Sequence, residues 1–259
     1  MHTHTCSNCG HTFEHKFCNV CGQAVTHRYT LKHVLHELLH VFTHADKGIF
    51  SFGWQLLYRP GYIATDLIAG RRKRYFNLFQ YLLLVLSFAT FVVLKTNVFE
   101  LIAKGMSTQQ QTAAQPAWLT QVQTDFMGGM RTYYNIVNLL LIPIYAFAAR
   151  LVFNSIKSLN YAENIVLQSC VLASYSLPSL AVTALFYFVP SVGFIWYTAF
   201  AMSVTAFFMV LAYKQFYGIS WLKAITNGLL AYAISYAFQL VATAVAMILY
   251  IIVYVVLYK

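Results

Sequence analysis

The sequence predicts an all-α polytopic membrane protein, with five transmembrane helices behind a small N-terminal cytoplasmic ribbon. Three observations carry that expectation. Of 259 residues, 59% are hydrophobic and only 9% charged, against about 45–50% and about 25% in a soluble domain. Long stretches contain no Asp, Glu, Lys or Arg, and four of the five cysteines crowd into the first 21 residues. With a mean hydropathy of +0.61, the chain has too little charge to cover its apolar surface as a purely soluble globule. Disordered and collagen-like readings fail on the same composition.

The ribbon comes first, over residues 1–27. Cys6, Cys9, Cys18 and Cys21 are spaced C-x-x-C, eight residues, C-x-x-C, and Gly10 and Gly22 follow the two pairs. Two residues between thiolates let one tight turn offer both to one ion, and the glycine tolerates the left-handed conformation that closes the turn. Two such knuckles supply the closed tetrahedral shell of structural zinc. Zinc here replaces a core that so short a segment cannot build. An iron–sulfur cluster accepts the same four thiolates and stays as the alternative. A disulfide pair is disfavoured because the head is expected in the reducing cytoplasm, and a thioredoxin-like site needs a βαβ unit for which there is no room. Cys170, alone in an apolar span, reads as a small buried hydrophobe.

Residues 28–76 form a cytoplasmic amphipathic and basic juxtamembrane segment. His33, His36, His40 and His44 recur at intervals of three, four and four, a single stripe on a helix over Thr30–His44. Leu31, Val34, Leu35, Leu38 and Phe42 occupy the opposite face. The stripe is a solvated polar face or a pH-sensing or metal-binding site. Glu37 and Asp46 are the only acids close by, which favours the solvated face. The aromatic stretch Gly48–Tyr58 suits an interface, Arg59-Pro60-Gly61 breaks it, and a short helix is expected over Tyr62–Ala69 with Gly70 as its stop. Arg71, Arg72, Lys73 and Arg74, followed by Tyr75 and Phe76, are the candidate contacts to anionic lipid headgroups. The whole segment is expected to lie along the cytoplasmic surface.

The membrane domain follows, over residues 77–259. Charge is costly at mid-bilayer, so the charge-free runs Tyr75–Leu94, Thr132–Ala149, Asn164–Tyr213 and Ala224–Tyr258 mark the spans. A crossing takes about 20 residues, and Val189-Pro190-Ser191-Val192-Gly193 divides the third run. The spans are placed near 77–98, 133–153, 164–189, 192–213 and 227–257. With the N-terminus cytoplasmic, 13 Lys/Arg fall inside and 4 outside, so the positive-inside rule puts the C-terminus outside. Met1–Cys6 lacks a signal peptide's apolar stretch, and the first span is expected to direct insertion. The polar segment 99–132 is expected to be mobile.

Cys6–Gln23 (CSNCGHTFEHKFCNVCGQ) and Pro60–Tyr81 (PGYIATDLIAGRRKRYFNLFQY) together resemble an uncharacterised bacterial membrane-protein family, a domain of unknown function found mainly in Bacteroidota. Its members join a zinc-ribbon head ending in Phe-Cys-x-x-Cys-Gly-Gln to a Pro-Gly and Ile-x-Gly-Lys/Arg-Arg-Lys-x-Tyr segment before the first span. Leu67 stands where the family tends to have Tyr, and Leu78 where it tends to have Pro. The resemblance implies architecture and an inner-membrane location, and no activity.

The spans hold no His, and Glu163 is expected at the mouth of the third rather than within it. Intramembrane proteolysis, haem or di-iron ligation and carboxylate-coupled transport normally need such groups at depth. The expectation is therefore a non-enzymatic inner-membrane protein. Its zinc ribbon and basic segment would bind anionic lipid or a partner protein; the net charge of +10 reads as topology and lipid attraction, with no nucleic acid expected. The alternative is a transporter, channel or lipid-translocating protein using Asn138, Gln168, Ser169, Ser174, Ser176, Asn227 and Gln239, which otherwise serve as hydrogen-bond glue between helices.

Overall fold

Helices dominate the computed structural model, which describes residues 3–25, 30–31, 48–96, 116–188 and 194–258. His33, His36, His40 and His44 lie outside the described residues, as does the turn that divides the third run. Two short antiparallel strands, β1 (His4–Thr5) and β2 (Thr12–Phe13), begin the chain. Helices α1 (Ile49–Tyr58) and α2 (Pro60–Ile68) follow, then a 3-10 turn over Arg72–Arg74. Next come α3 (Leu78–Thr96), α4 (Ala117–Thr132), α5 (Tyr134–Phe153), α6 (Tyr161–Phe188), α7 (Phe194–Tyr217) and α8 (Trp221–Tyr258).

Among the described residues, five helices are long and apolar enough to cross a membrane, namely α3, α5, α6, α7 and α8, and they fall where the charge-free runs placed the spans. Helix α6 is the most enclosed. It packs against α3, α5 and α7, and its residues are buried without interruption from Ala162 to Ser174. Its start lies three residues ahead of the expected one, which puts Glu163 in the first turn. There Glu163 and Asn160 form a reciprocal cap: the Asn160 N–H donates to Glu163 Oε2 at 2.9 Å and the Glu163 N–H to Asn160 Oδ1 at 2.8 Å. Helix α8, with 38 residues, extends about 57 Å at 1.5 Å per residue, well beyond a hydrocarbon core of about 30 Å.

One expectation changes. Part of the segment read as a mobile polar loop, 117–132, is the helix α4. It packs on α3 and α8 because Val122 on its inner face is fully buried and the Phe126 ring lies 5.8 Å from that of Tyr250. Helices α1 and α2 pack one face into the ends of α6 and α7. Phe52, Leu56, Ile63, Ala64 and Leu67 join the same core as the long helices, where each large aliphatic side chain contributes about 1.5–3 kcal/mol relative to exposure in water. The opposite face of α1 keeps Phe50, Trp54 and Tyr58 exposed.

The Pro-Gly pair has a reason beyond breaking a helix. Pro60 opens α2, where its missing N–H costs nothing. A Cβ on Gly61 would stand 2.2 Å from the Ala212 carbonyl oxygen and 2.6 Å from the Phe216 nitrogen. The backbones of α2 and α7 thus touch, and Gln215 locks them: Gly61 N–H donates to its Oε1 at 3.0 Å while its Nε2 donates to the Tyr58 carbonyl at 2.8 Å. Lys157 Nζ over the Phe216 ring (4.3 Å) and Phe153 stacked on Tyr217 bring residues 153–157 to this same end of the bundle.

Candidate metal centre

Each knuckle is built by the same pair of backbone bonds. In the first, the Cys6 N–H donates to the His11 carbonyl and Gly10 N–H to the Cys6 carbonyl, both at 2.9 Å; in the second, Cys18 N–H donates to Gln23 and Gly22 N–H to Cys18, both at 2.8 Å. Gly10 and Gly22 have φ of 76° and 68°, the left-handed geometry their positions demand. Beneath them Phe13 packs between buried Cys6 and Cys18, and little else makes a core.

The four sulfurs lie within 4.8 Å of one another, with Cys6–Cys21 at 3.5 Å and Cys9–Cys18 at 3.6 Å. All four are free thiols. An ion about 2.3 Å from each of four tetrahedral sulfurs sets them about 3.8 Å apart, so the cluster has the size and donor set of a metal site. Its electrostatics agree. The backbone hydrogen bond from Gln23 and the Asn8 side chain lower the Cys21 thiol to about 6. At Cys9 the His11 backbone bond also favours thiolate, but desolvation and the neighbouring cysteines outweigh it and raise the thiol to about 12. A bound cation would favour the thiolate form of all four.

The centre is fastened to the basic turn. Gln23, nearly buried, donates from Nε2 to the Gly70 carbonyl at 3.0 Å and accepts from the Lys73 N–H at its Oε1 at 2.9 Å. Ser7 Oγ reaches the same Gly70 carbonyl at 3.2 Å. Gly70, φ 87°, is the expected stop, and it turns its carbonyl toward the ribbon. The sequence offered no sign of this clamp, because a backbone carbonyl carries no residue signature.

The basic residues are not equivalent. Arg71 Nε donates to Asp66 Oδ1 at 2.9 Å, and the Tyr75 hydroxyl donates to Oδ2. Burial pushes the Asp66 carboxyl up, but the bonds from Tyr75 and Arg71 and the charges of Arg71 and Arg59 outweigh it and hold it below the usual range. Arg71 and Arg72 are half-buried, whereas Lys73 and Arg74 stand exposed. Asn77 then caps α3 through its Oδ1, which accepts from the Phe79 and Gln80 N–H groups.

Among the span polar residues, Gln168 bonds Tyr213 at 3.0 Å and Gln239 accepts from the Tyr145 hydroxyl at 2.7 Å, both across helices as expected. Asn138, Ser174 and Ser176 bond carbonyls of their own helix instead. Cys170 is fully buried, as a small hydrophobe would be.

Residues 46–90 match the family model described as a protein of unknown function (DUF3667). That stretch holds α1, α2, the basic turn and most of α3, and excludes the ribbon. No curated protein and no solved structure matches the chain. Leu78, one of the two departures, sits at the first position of α3, where a Pro would also fit; Leu67, the other, is a buried core residue.

Proposed function

We propose that the chain is a non-enzymatic multi-pass protein of the bacterial inner membrane, its N-terminus cytoplasmic, whose zinc ribbon and basic turn act together as a docking face for anionic lipid headgroups. The clamp from Gln23 to Gly70 and Lys73 supports this reading. It holds the ribbon against a turn that ends four residues before α3 begins, with Lys73 and Arg74 exposed at the edge where headgroups lie. A structural ion then fixes the shape of the face without taking part in chemistry. Each such cation near an anionic surface contributes about 1 kcal/mol.

The test uses the full chain, because a fragment ending at residue 76 would strip α1 and α2 from their packing. Protein purified from membranes of mixed phosphatidylglycerol and phosphatidylcholine should retain phosphatidylglycerol preferentially. Lys73→Gln with Arg74→Gln should reduce that enrichment by about tenfold, taking about 0.7 to 1 kcal/mol per charge. Equal retention of both lipids rejects the reading. A protein partner is the second reading, supported by Phe17 and Val20, 61% and 64% exposed on the second knuckle; a partner lost on Cys18→Ser would favour it.

A further inference from the structure

We propose that the interior of the five-helix bundle is a binding site for a neutral, membrane-dissolved molecule whose compact head carries carbonyl or ester oxygens. Helices α6 and α8 face each other across a cavity of about 260 Å³ closed at the sides by α5 and α7, and a second of about 220 Å³ adjoins it, reaching toward the end of the bundle marked by Val93, Tyr134 and Thr183. The two share Leu172, Tyr175, Met202, Thr205 and Tyr232 in their walls. Together they approach the size of a small-molecule site.

The lining selects the chemistry. No Asp, Glu, Lys or Arg lines either cavity, so neither a phosphate head nor a cation finds a counter-charge, and burying one unpaired is costly. The polar groups are hydroxyls and amides, and several of them are open to donate. Among the described residues, the Tyr175 and Tyr232 hydroxyls have no hydrogen-bond partner. The Gln239 carboxamide receives Tyr145 on its oxygen and keeps its Nε2 to give. Among the smaller hydroxyls, Ser176, Thr205 and Ser235 are spent on carbonyls of their own helices, those of Leu172, Ala201 and Ala231. An acyl chain in this space would leave the three donors unpaired where bilayer water is absent. A head with two or more oxygen acceptors pairs them, and the aromatic faces of Tyr175 and Tyr232, with Leu172 and Met202, cover its apolar surface. The site is independent of the ribbon and of its lipid reading.

Quinone lipids and diacylglycerols share this head chemistry, and the experiment separates them. Full-length protein in detergent is titrated with decylubiquinone, with 1,2-dioctanoylglycerol, and with dioctanoyl phosphatidic acid, whose tails match but whose head is charged. Native mass spectrometry reads the bound stoichiometry. One molecule per chain of at least one neutral probe is expected, with phosphatidic acid binding more weakly than that probe. Tyr175→Phe with Tyr232→Phe keeps both rings and removes both donors, and should weaken the bound probe about tenfold. Tyr187→Phe, outside both cavities, should leave binding unchanged. Failure of both neutral probes to saturate, equal binding of phosphatidic acid, or wild-type affinity in the double variant would each overturn the assignment.

Discussion

Removing the Gln23 side chain should separate docking of the ribbon from holding its ion. The carboxamide makes two bonds to the basic turn, to the Gly70 carbonyl and from the Lys73 N–H. Each contributes about 0.5–1.5 kcal/mol net. Their loss in Gln23→Ala therefore weakens docking by about 2 kcal/mol, or about 30-fold in the docked-to-undocked ratio. Ser7 still reaches Gly70, so docking is weakened rather than abolished. The contributions of Gln23 to the metal site survive, because they run through its backbone: its carbonyl accepts from the Cys18 N–H and its backbone bond lowers the Cys21 thiol. Hydrogen exchange at the Lys73 amide in the full-length, metal-loaded protein is the assay, expected to quicken about 30-fold with metal content unchanged. Gln23→Glu keeps the acceptor and loses the donor, so it should fall between. Wild-type exchange at Lys73 in Gln23→Ala, with the metal retained, refutes the clamp.

Purified protein should carry one zinc per chain, lost on Cys18→Ser with Cys21→Ser while the helices still insert; iron in its place would move the site to the cluster alternative, and four reactive thiols without metal would reject it. Gly61→Ala drives a Cβ into the backbone of α7 and should destabilise the protein by about 1–3 kcal/mol, seen as a lower thermal midpoint in detergent; an unchanged midpoint would contradict the contact. The Asp66 carboxyl is held low and the Tyr75 hydroxyl is raised to about 12, chiefly by burial and then by Asp66. The Asp66 contribution is complete above its ordinary carboxylate pKa and lost as pH falls through the depressed one; that of Tyr75 is complete below about 10 and lost as pH rises through about 12. Stability owed to this cluster should be flat from pH 5 to 9, and a midpoint difference between wild type and Asp66→Asn that varies across that window would count against it. A reporter after Lys259 should be extracytoplasmic and one near Asn154 cytoplasmic, and a cytoplasmic C-terminus would require an even number of spans.

How much could be read in advance follows from what kind of partner each residue has. The five long helices were legible because absence of charge over about 20 residues is a one-dimensional property. The cysteine cluster was legible because each knuckle is built within six residues, from Cys6 to His11 and from Cys18 to Gln23. Neither needs a distant contact. The packing of one face of 48–69 onto the long helices was not legible, for the complementary reason. Alternating aromatic and small residues there suit an interface, yet Phe52 and Leu56 face one way and Trp54 and Tyr58 the other, and only the presence of α6 and α7 decides which face is covered.

Gln23 and Gly61 show the limit most sharply. Both stand inside motifs that the sequence makes conspicuous, and both would be explained locally: Gln23 as the end of a knuckle, Gly61 as half of a helix-breaking pair. The Gln23 side chain answers instead to a backbone carbonyl 47 residues away, and a Cβ on Gly61 to the backbone of Ala212 and Phe216. A backbone carbonyl or N–H looks the same whatever residue bears it, so no pattern of residue types could announce the pairing. The tyrosines of the bundle interior lie beyond the same limit. Nothing in the sequence sets Tyr175 and Tyr232 apart, and only the gap between α6 and α8 turns their two hydroxyls into open donors facing a common space.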